Sequence, residues 1–592
     1  MAETKVYGTN KEKVEYINRL YDESTKYYSS WRDELTKAYK QYKSVLDIDS
    51  SKDYYKWRSR LFIPATARAV DGLLPDLMLT LFGPDPFFET VPREPSDVIQ
   101  SKILEPLLLY QFDSTDFFTN FFDFLKQMAI YGTTFGKVYI TSKKRKVKKS
   151  VPQEFMGIEI GEPKEEYEEI EIYDGPVFET IDIYDLRFSP NAKSIDDTWV
   201  IHRTEKTIGD MKKMGIYKNL DKLEYSIAQD KLSSKYDEEV RKSLNGFPSA
   251  YTQEEGDDRR VELLEYWDRS RSKTCTIAGR STIVRPERDN PLGIDPFVSC
   301  KLWGMPFELL GTGIPKKVED LQNQLNCEVN QRLDNRNIRQ NVTLKVRRGA
   351  NVNVRNLLTK PGGIWLTDEM DAIDPIVIPD ISSSTSFAEE NLLESKCEEI
   401  TGVTRYATGQ GSGSSKTATE ASILTRMASK AFALHLRIIE EMALRPILRK
   451  FAALNSNPDF MDKERVEKVV GPLGAMWEPS SETAINFRLL ASSQLTDKNL
   501  KVQQMIQLLG MLKDDPTINK MEIVKRIYEA WGYKDFATLQ QQMPPQMPQQ
   551  GMPQNMGTPP GLGAGIPPTG VRPGSPAEGG LPMMAGMGGA RP

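Results

Sequence analysis

Hydrophobic and polar positions alternate with helical period at both ends of the first third of the chain. Residues 11–45 are charged and Tyr-rich and predict one helix. Over 64–82, Val70, Leu73, Leu74, Leu77, Met78 and Leu81 recur every three or four residues, and the breaker pair Gly83-Pro84 ends the run. Phe87 to Val91 is a candidate strand. Residues 96–131 read as helical with a break near Asp113-Ser114. Phe117, Phe118, Phe121, Phe122 and Phe124 cover so much of that helix that it should be buried, against this chain or a second subunit.

A hairpin is expected next. Lys137 to Thr141 alternates and runs into the basic stretch Lys143–Lys149, while the return strand carries Glu165, Glu166, Glu168, Glu169 and Glu171. Opposite charges on facing strands favour their pairing, which outweighs a nucleic-acid or localisation role for the basic run. Short strands are expected over 177–205, with Trp199 and His202 in one of them, a charged helix over 206–245, and β structure over 260–303.

The stretch from 311 to 341 predicts a long helix that starts at Gly311-Thr312-Gly313-Ile314-Pro315, with proline early, where a missing N–H costs little. Val318, Leu321, Leu325, Val329 and Leu333 form one narrow stripe. Gln322, Asn323, Gln324, Asn326, Asn330, Gln331, Asp334, Asn335 and Arg336 fill most other positions, so the helix should pack on one side and be wet elsewhere. From 316 to 339 it would be ~36 Å long at about 1.5 Å per residue. Period-two alternation follows, with Val342, Leu344 and Val346 on one side and Thr343, Lys345 and Arg347 on the other. A turn at Pro361-Gly362-Gly363 and strands over 363–367 and 373–381 complete a small β unit that cannot hold a core alone.

A second helix is expected over 386–402. Leu393, Cys397 and Ile400 share one face, and Glu390, Glu394 and Glu398 form an i, i+4 column on another, at a cost of a few tenths of a kcal/mol unless it is compensated. The column is either an exposed acidic face tolerated by packing elsewhere or a negative wall that phosphates cannot grip. The Gly/Ser loop 403–416 is no nucleotide-binding loop: Ser415 stands where glycine must precede Lys416, Gln410 where the motif's first glycine belongs, and a helix precedes it instead of a strand. Thr417-Ala418-Thr419-Glu420 reads as a capping box for a long helix through Met442, kinked or broken at Pro446. A strand over 484–491 and helices over 495–513 and 516–532 follow, and from Gln540 the Pro, Gly, Met and Gln composition predicts disorder.

Composition narrows the function. The chain has 592 residues, 39% of them hydrophobic, enough for roughly three to five structural units. A net charge of −5 argues against a surface that coats itself in DNA. The four cysteines, Cys275, Cys300, Cys327 and Cys397, have no zinc or disulfide-framework spacing, and His202 and His435, the only histidines, are expected to be structural. No nucleophile–base pair, metal motif or cofactor site stands out. Met1 to Lys13 does not read as a signal peptide, and no apolar run is long enough to span a membrane.

The order helix, small β unit, helix, Gly/Ser loop, long kinked helix resembles the portal, or head–tail connector, proteins of tailed phages, especially short-tailed ones. The resemblance rests on Gly311-Thr312-Gly313 with Asp320-Leu321-Gln322 and Leu325-Asn326, on Pro361-Gly362-Gly363, and on Glu399-Ile400-Thr401-Gly402-Val403. Thr417-Ala418-Thr419-Glu420 and the upstream Ala129-Ile130-Tyr131-Gly132-Thr133 add to it.

The resemblance implies an α+β, mainly α, portal fold assembled as a cyclic ring. Its parts would be an N-terminal wing (1–310), first stem helix (311–341), clip (342–382), second stem helix (383–402), tunnel loop (403–416), long kinked helix with the rest of the wing (417–492), crown (493–540) and disordered tail (541–592). It implies a dodecamer at one capsid vertex of the virion, assembled in the host cytoplasm. The partners would be the major capsid protein and scaffold, the terminase motor and a head–tail adaptor, with double-stranded DNA passing without sequence specificity and no membrane. It implies a structural role, no enzymatic activity and no cofactor. Candidate DNA contacts in the tunnel loop are Arg405, Gln410, Ser412 and Lys416, and the Glu390–Glu394–Glu398 column is a candidate channel wall. Lys345, Arg347, Arg348, Arg355, Lys360 and Trp365 are candidates for docking terminase or adaptor. The alternatives are another virion or scaffold protein, or a nucleic-acid-binding protein using 143–149.

Overall fold

The computed structural model describes residues 9–46, 57–151, 154–155, 158–159, 164–197, 199–223, 241, 256–341, 343–349, 371–379, 384–403, 432–478 and 485–489. The expected tunnel loop, the capping box at 417–420, the 361–363 turn with strand 363–367, the crown helices and the Pro/Gly-rich tail lie outside them.

The expected first helix is two: α1 (Asn10–Tyr27), entered through a Thr9/Glu12 capping box, and α2 (Ser29–Tyr42). The break falls at Tyr28 because its side chain is anchored sideways. The ring packs 4.8 Å from Phe188 and 5.9 Å from Trp31, and its hydroxyl donates to the carbonyls of Ser189 and Pro190 at 3.1 Å. The next helix, α3 (Ala65–Phe82), buries Val70, Leu73, Leu74, Leu77, Met78 and Leu81 as the periodicity predicts. Strand β1 (Phe88–Pro92) precedes α4 (Val98–Ser114) and α5 (Phe117–Tyr131), which separate at Thr115-Asp116. Phe117, Phe121 and Phe124 are buried within this chain, whereas Phe118 is 57% exposed.

Two antiparallel sheets follow. In the first, the long β2 (Thr133–Val151) is central, and the two-residue β3 (Glu154–Phe155) and β4 (Ile158–Glu159) pair with each other before β5 (Lys164–Ile181) returns. The register sets Lys144 opposite Glu171, Lys146 opposite Glu169 and Lys149 opposite Glu166, the pairing expected from the charges. The second sheet uses β6 (Leu186–Phe188), β7 (Val200–Thr207), β8 (Arg260–Asp268), β9 (Lys273–Ala278) and β10 (Thr282–Asp289) as neighbours in chain order. Helix α6 (Ile208–Met214) ends at Gly215 (φ +66), and 215–219 are not helical, so the described part of the charged segment forms a far shorter helix than expected. Strand β11 (Phe297–Lys301) completes the first sheet beside β2. Residues from α1 cover one face of the second sheet, with Ile17 and Tyr21 packed on Ile201, Leu264 and Ile277.

The short hairpin β12 (Trp303–Gly304) and β13 (Gly311–Thr312) leads into α7 (Ile314–Gln340). Beyond it, β14 (Leu344–Val346) pairs antiparallel with β15 (Ile373–Pro375), and α8 (Ser384–Thr401) returns. The strand at β15 ends at Pro375, short of the expected 381. Residues 432–439 are helical, pass through a π-turn at Glu440–Leu444 and continue as α9 (Arg445–Asn455). The Arg445 N–H bonds the Glu440 carbonyl, five residues back, so the register shifts just before Pro446, whose lacking N–H then falls in the first turn of α9. Helix α10 (Lys463–Val470) and β16 (Ile485–Leu489) follow, and β16 pairs with β1 across nearly four hundred residues of sequence, Phe88 opposite Leu489. Helices and sheets thus build an α+β protein.

Both histidines are packing residues. His202 is buried on β7, and His435 stands edge-on to Trp303 at 5.4 Å, its pKa lowered by burial and then by Lys317. Beneath β7, Lys137 donates to Glu265 at 2.5 Å inside the protein, and the cation also lies 5.3 Å from the Trp267 ring. Burial pushes the Glu265 carboxyl up, but Lys137 and His202 outweigh it and hold it well below the ordinary carboxylate range.

Two chain segments far apart in sequence cross backbone on backbone where α5 ends and α7 begins. Gly132 (φ +84) closes α5, and a Cβ there would meet Thr312 C at 2.3 Å and Gly313 N at 2.4 Å. A Cβ on Gly313 would meet the Ile130 carbonyl oxygen at 2.3 Å. The Leu302 N–H donates to the Gly132 carbonyl at 3.0 Å, and the Gly311 N–H to the Thr133 hydroxyl at 2.7 Å, which locks the crossing.

Gly132→Ala and Gly313→Ala should each destabilise the fold by roughly 3 kcal/mol or more, read by urea unfolding, because backbone cannot yield as a side-chain tip can. Lys137→Met should cost about 3–5 kcal/mol by leaving the buried Glu265 with only the weaker His202 contact at 3.8 Å. Because the Glu265 pKa is depressed in the fold, its contribution is present above the unfolded carboxylate pKa and is lost as pH falls through the folded value. The melting temperature of Glu265→Gln should therefore fall less on acidification than that of the unaltered protein.

Candidate functional site

The expected functional residues concentrate on α7, α8 and the β14–β15 unit between them. Helix α7 starts at the glycine crossing, with Pro315 in its first turn, and buries Ile314, Val318, Leu325 and Val329 against the helical core. Of the polar positions expected to be wet, Asn323, Gln324, Gln331 and Arg336 are exposed, whereas Gln322, Asn326 and Asn335 are buried and Asn330 and Asp334 partly so. Gln322, Asn326, Asn330 and Asp334 recur every four residues, so they form one column along α7. That column holds residues 59–66, mostly an extended strap. The N–H groups of Ser59, Leu61, Ile63 and Thr66 donate to Asp334 Oδ1 (2.6 Å), Asn330 Oδ1 (2.8 Å), Asn326 Oδ1 (2.9 Å) and Gln322 Oε1 (3.1 Å). In return, Gln322 Nε2 donates to the Ile63 carbonyl at 2.6 Å and Asn330 Nδ2 to the Leu61 carbonyl at 2.8 Å.

The match is metric. Two extended residues advance roughly 6.6 Å and four helical residues about 6 Å, so from Ser59 to Ile63 every second strap amide meets every fourth helix side chain, and Thr66, in the first turn of α3, completes the row at Gln322. Gln322 is fully buried, and its burial is tolerated because both ends of its amide are used. The four-residue spacing of Gln, Asn, Asn and Asp was visible in the sequence; the partner that gives it meaning was not.

Helix α8 packs on the other side of α7. Arg332 meets Glu390 at 2.7 Å and lies 4.2 Å from the Phe387 ring centre, and the Ser386 hydroxyl donates to Glu328 at 2.6 Å. Arg68 of α3 reaches Glu394 at 3.5 Å. Two members of the glutamate column are therefore matched by cations of the same subunit, which offsets the like-charge cost expected for the isolated helix. Glu390, Glu394 and Glu398 are all partly buried, on the flank that turns toward α7 and α3. Burial, then Glu394 and Glu398, push the Cys397 thiol up to about 11, so it is an inert packing group.

In the β unit, Lys345 and Arg347 are exposed while Leu344 and Val346 are half-buried, the alternation expected there. Lys345 faces Asp374 across the ladder at 3.4 Å, the Arg347 N–H donates to the Ala372 carbonyl at 3.0 Å, and Arg348 is exposed. The structure brings Lys345, Arg347 and Arg348 together at the far end of the helix pair. Arg355, Lys360 and Trp365, with Arg405, Gln410, Ser412 and Lys416, lie outside the described residues.

Among the described residues no cluster of His, Cys, Asp and Glu could hold a metal, and no helix is long and apolar enough to cross a membrane. The arrangement does mechanical work: two antiparallel helices, braced by a strap and by ion pairs, carry a small basic β unit away from the core.

No curated protein matches the chain. A family model does: the chain matches the family described as phage SU10 portal protein over residues 14–558, nearly its whole length. The chain therefore belongs to the SU10-like family of tailed-phage portal proteins.

Proposed function

We propose that this portal protein forms a dodecameric ring at one capsid vertex, conducts double-stranded DNA in during packaging and out during ejection, and docks the terminase motor and later a head–tail adaptor through its clip. The portal function itself, a structural role in the virion as head–tail connector, comes with the family. So do an oligomeric ring and capsid, terminase and adaptor partners in general terms. The observation that carries the finer reading is the α7–α8 pair with β14–β15 across its end, because it has the order expected for stem and clip.

In this reading α7 and α8 are the stem, residues 342–382 the clip, 403–416 the tunnel loop and 493–540 the crown. Arg405, Gln410, Ser412 and Lys416 touch passing DNA without reading its sequence. The channel-wall reading of Glu390, Glu394 and Glu398 loses ground, because they turn toward α7 and α3 and two of them pair with Arg332 and Arg68. Lys345, Arg347, Arg348, Arg355, Lys360 and Trp365 meet the motor or adaptor. The nucleic-acid-binding alternative loses ground because the β2–β5 register places glutamates across from the basic run.

Arg347→Glu combined with Arg348→Glu should leave ring assembly intact and lower DNA packaged per procapsid at least tenfold in an in vitro packaging assay. Packaging at the level of the unaltered protein would remove the clip assignment.

A further inference from the structure

The two flanks of the α7–α8 pair are built differently, and the difference is complementary. Strap contacts on α7 fall at 322, 326, 330 and 334, and α8 contacts at 328 and 332. At about 100° per residue these sets lie roughly half a turn apart, so strap and α8 flank α7 on opposite sides.

The strap's outer surface is apolar and basic. Trp57 is 54% exposed and Leu61 46% exposed; Arg58, 5.8 Å from the Trp57 ring centre, and Arg60 are exposed beside them. The outward face of α8 is apolar and acidic. Its packed stripe is Ser386, Leu393, Cys397 and Thr401, and away from it Leu392 (57% exposed) and Ile400 (44% exposed) stand with the exposed Glu389 and Glu399. Helix α8 carries five glutamates against one lysine; Glu390 and Glu394 meet arginines of α7 and α3, and Glu399 meets Lys396 at 2.7 Å on its own helix. Neither flank contains enough apolar surface for a core of its own, and each offers what the other lacks.

We propose that the occupant of each flank is a second copy of this chain: the outward face of α8 seats on the strap of the next subunit, with Leu392 against Trp57 and Leu61, and Glu389 and Glu399 against Arg58 and Arg60. This rests on the portal reading and specifies its subunit contact. One surface meeting a different surface is a heterologous contact, and repeated about an axis it closes into a ring. The strap thereby acquires a second role: the amide column that holds it against α7 also presents its basic edge to the neighbour. The exposed face of α7 that carries Cys327 is covered by neither contact.

The test uses the full-length protein in three charge variants: Glu389→Arg with Glu399→Arg, Arg58→Glu with Arg60→Glu, and all four together. Assembly is followed by light scattering and native gels, and folding by thermal melting of each variant. Each double variant should melt like the unaltered protein yet need at least tenfold higher concentration to form rings, and the fourfold variant should recover most of that loss. In rings of the unaltered protein, Cys327 should still react with a maleimide. Double variants that assemble at the unaltered concentration, a fourfold variant that melts normally without recovering assembly, or a Cys327 shielded on assembly would overturn this contact. An unaltered protein that never forms rings would overturn the ring reading itself, a different failure.

Discussion

The contact between Gly132 and the Gly311–Gly313 segment is the constraint on which the rest of the structure depends. It brings two main chains to a separation that no side chain permits, at the point where α5 stops and α7 starts. Everything that follows α7 takes its direction from that crossing. The crossing also explains why helix α5 ends in a left-handed residue and why α7 opens with a glycine at its N-cap: both choices make room for the other chain. Two of the short motifs that carried the family resemblance, Ala129–Thr133 and Gly311–Gly313, are thus halves of a single joint.

The α7–α8 pair is held by polar interactions that water would otherwise weaken. Along α7, the amide column ties down an extended strap that cannot pair with a sheet, and so satisfies backbone groups that would be left without partners. On the opposite side, Arg332 and Arg68 neutralise acids that would repel one another along α8. The result is a pair of helices with one apolar face in the core and two flanks of contrasting chemistry. In the proposed ring, each flank would be covered by a neighbouring subunit.

Much of this was legible in the sequence, and the limits are physical. Periodicity located α3, α5, α7 and α8 to within a few residues, because each has an apolar stripe with a breaker at one end. The β2–β5 pairing was readable from charge alone. Tyr28 was not readable as a break, since only the tertiary anchor at Phe188 and the carbonyls of Ser189 and Pro190 bends the helix there. Within the described residues 206–223, the expected charged helix stops at Met214, because Gly215 takes a left-handed conformation there. On α7 the amides were assigned to water, for local periodicity does not report which distant segment will lie across them. Likewise the glutamate column looked uncompensated because its cations come from α3 and α7.

In the proposed assembly this chain is one segment of a closed ring whose neighbours complete it. End-on electron microscopy of the purified full-length protein tests that most directly. Closed rings of about twelve copies around a central channel are expected, the outcome of heterologous contacts when the rotation between neighbours closes. Particles that stay monomeric at assembly concentrations, or that grow into open filaments, would contradict the proposed assembly.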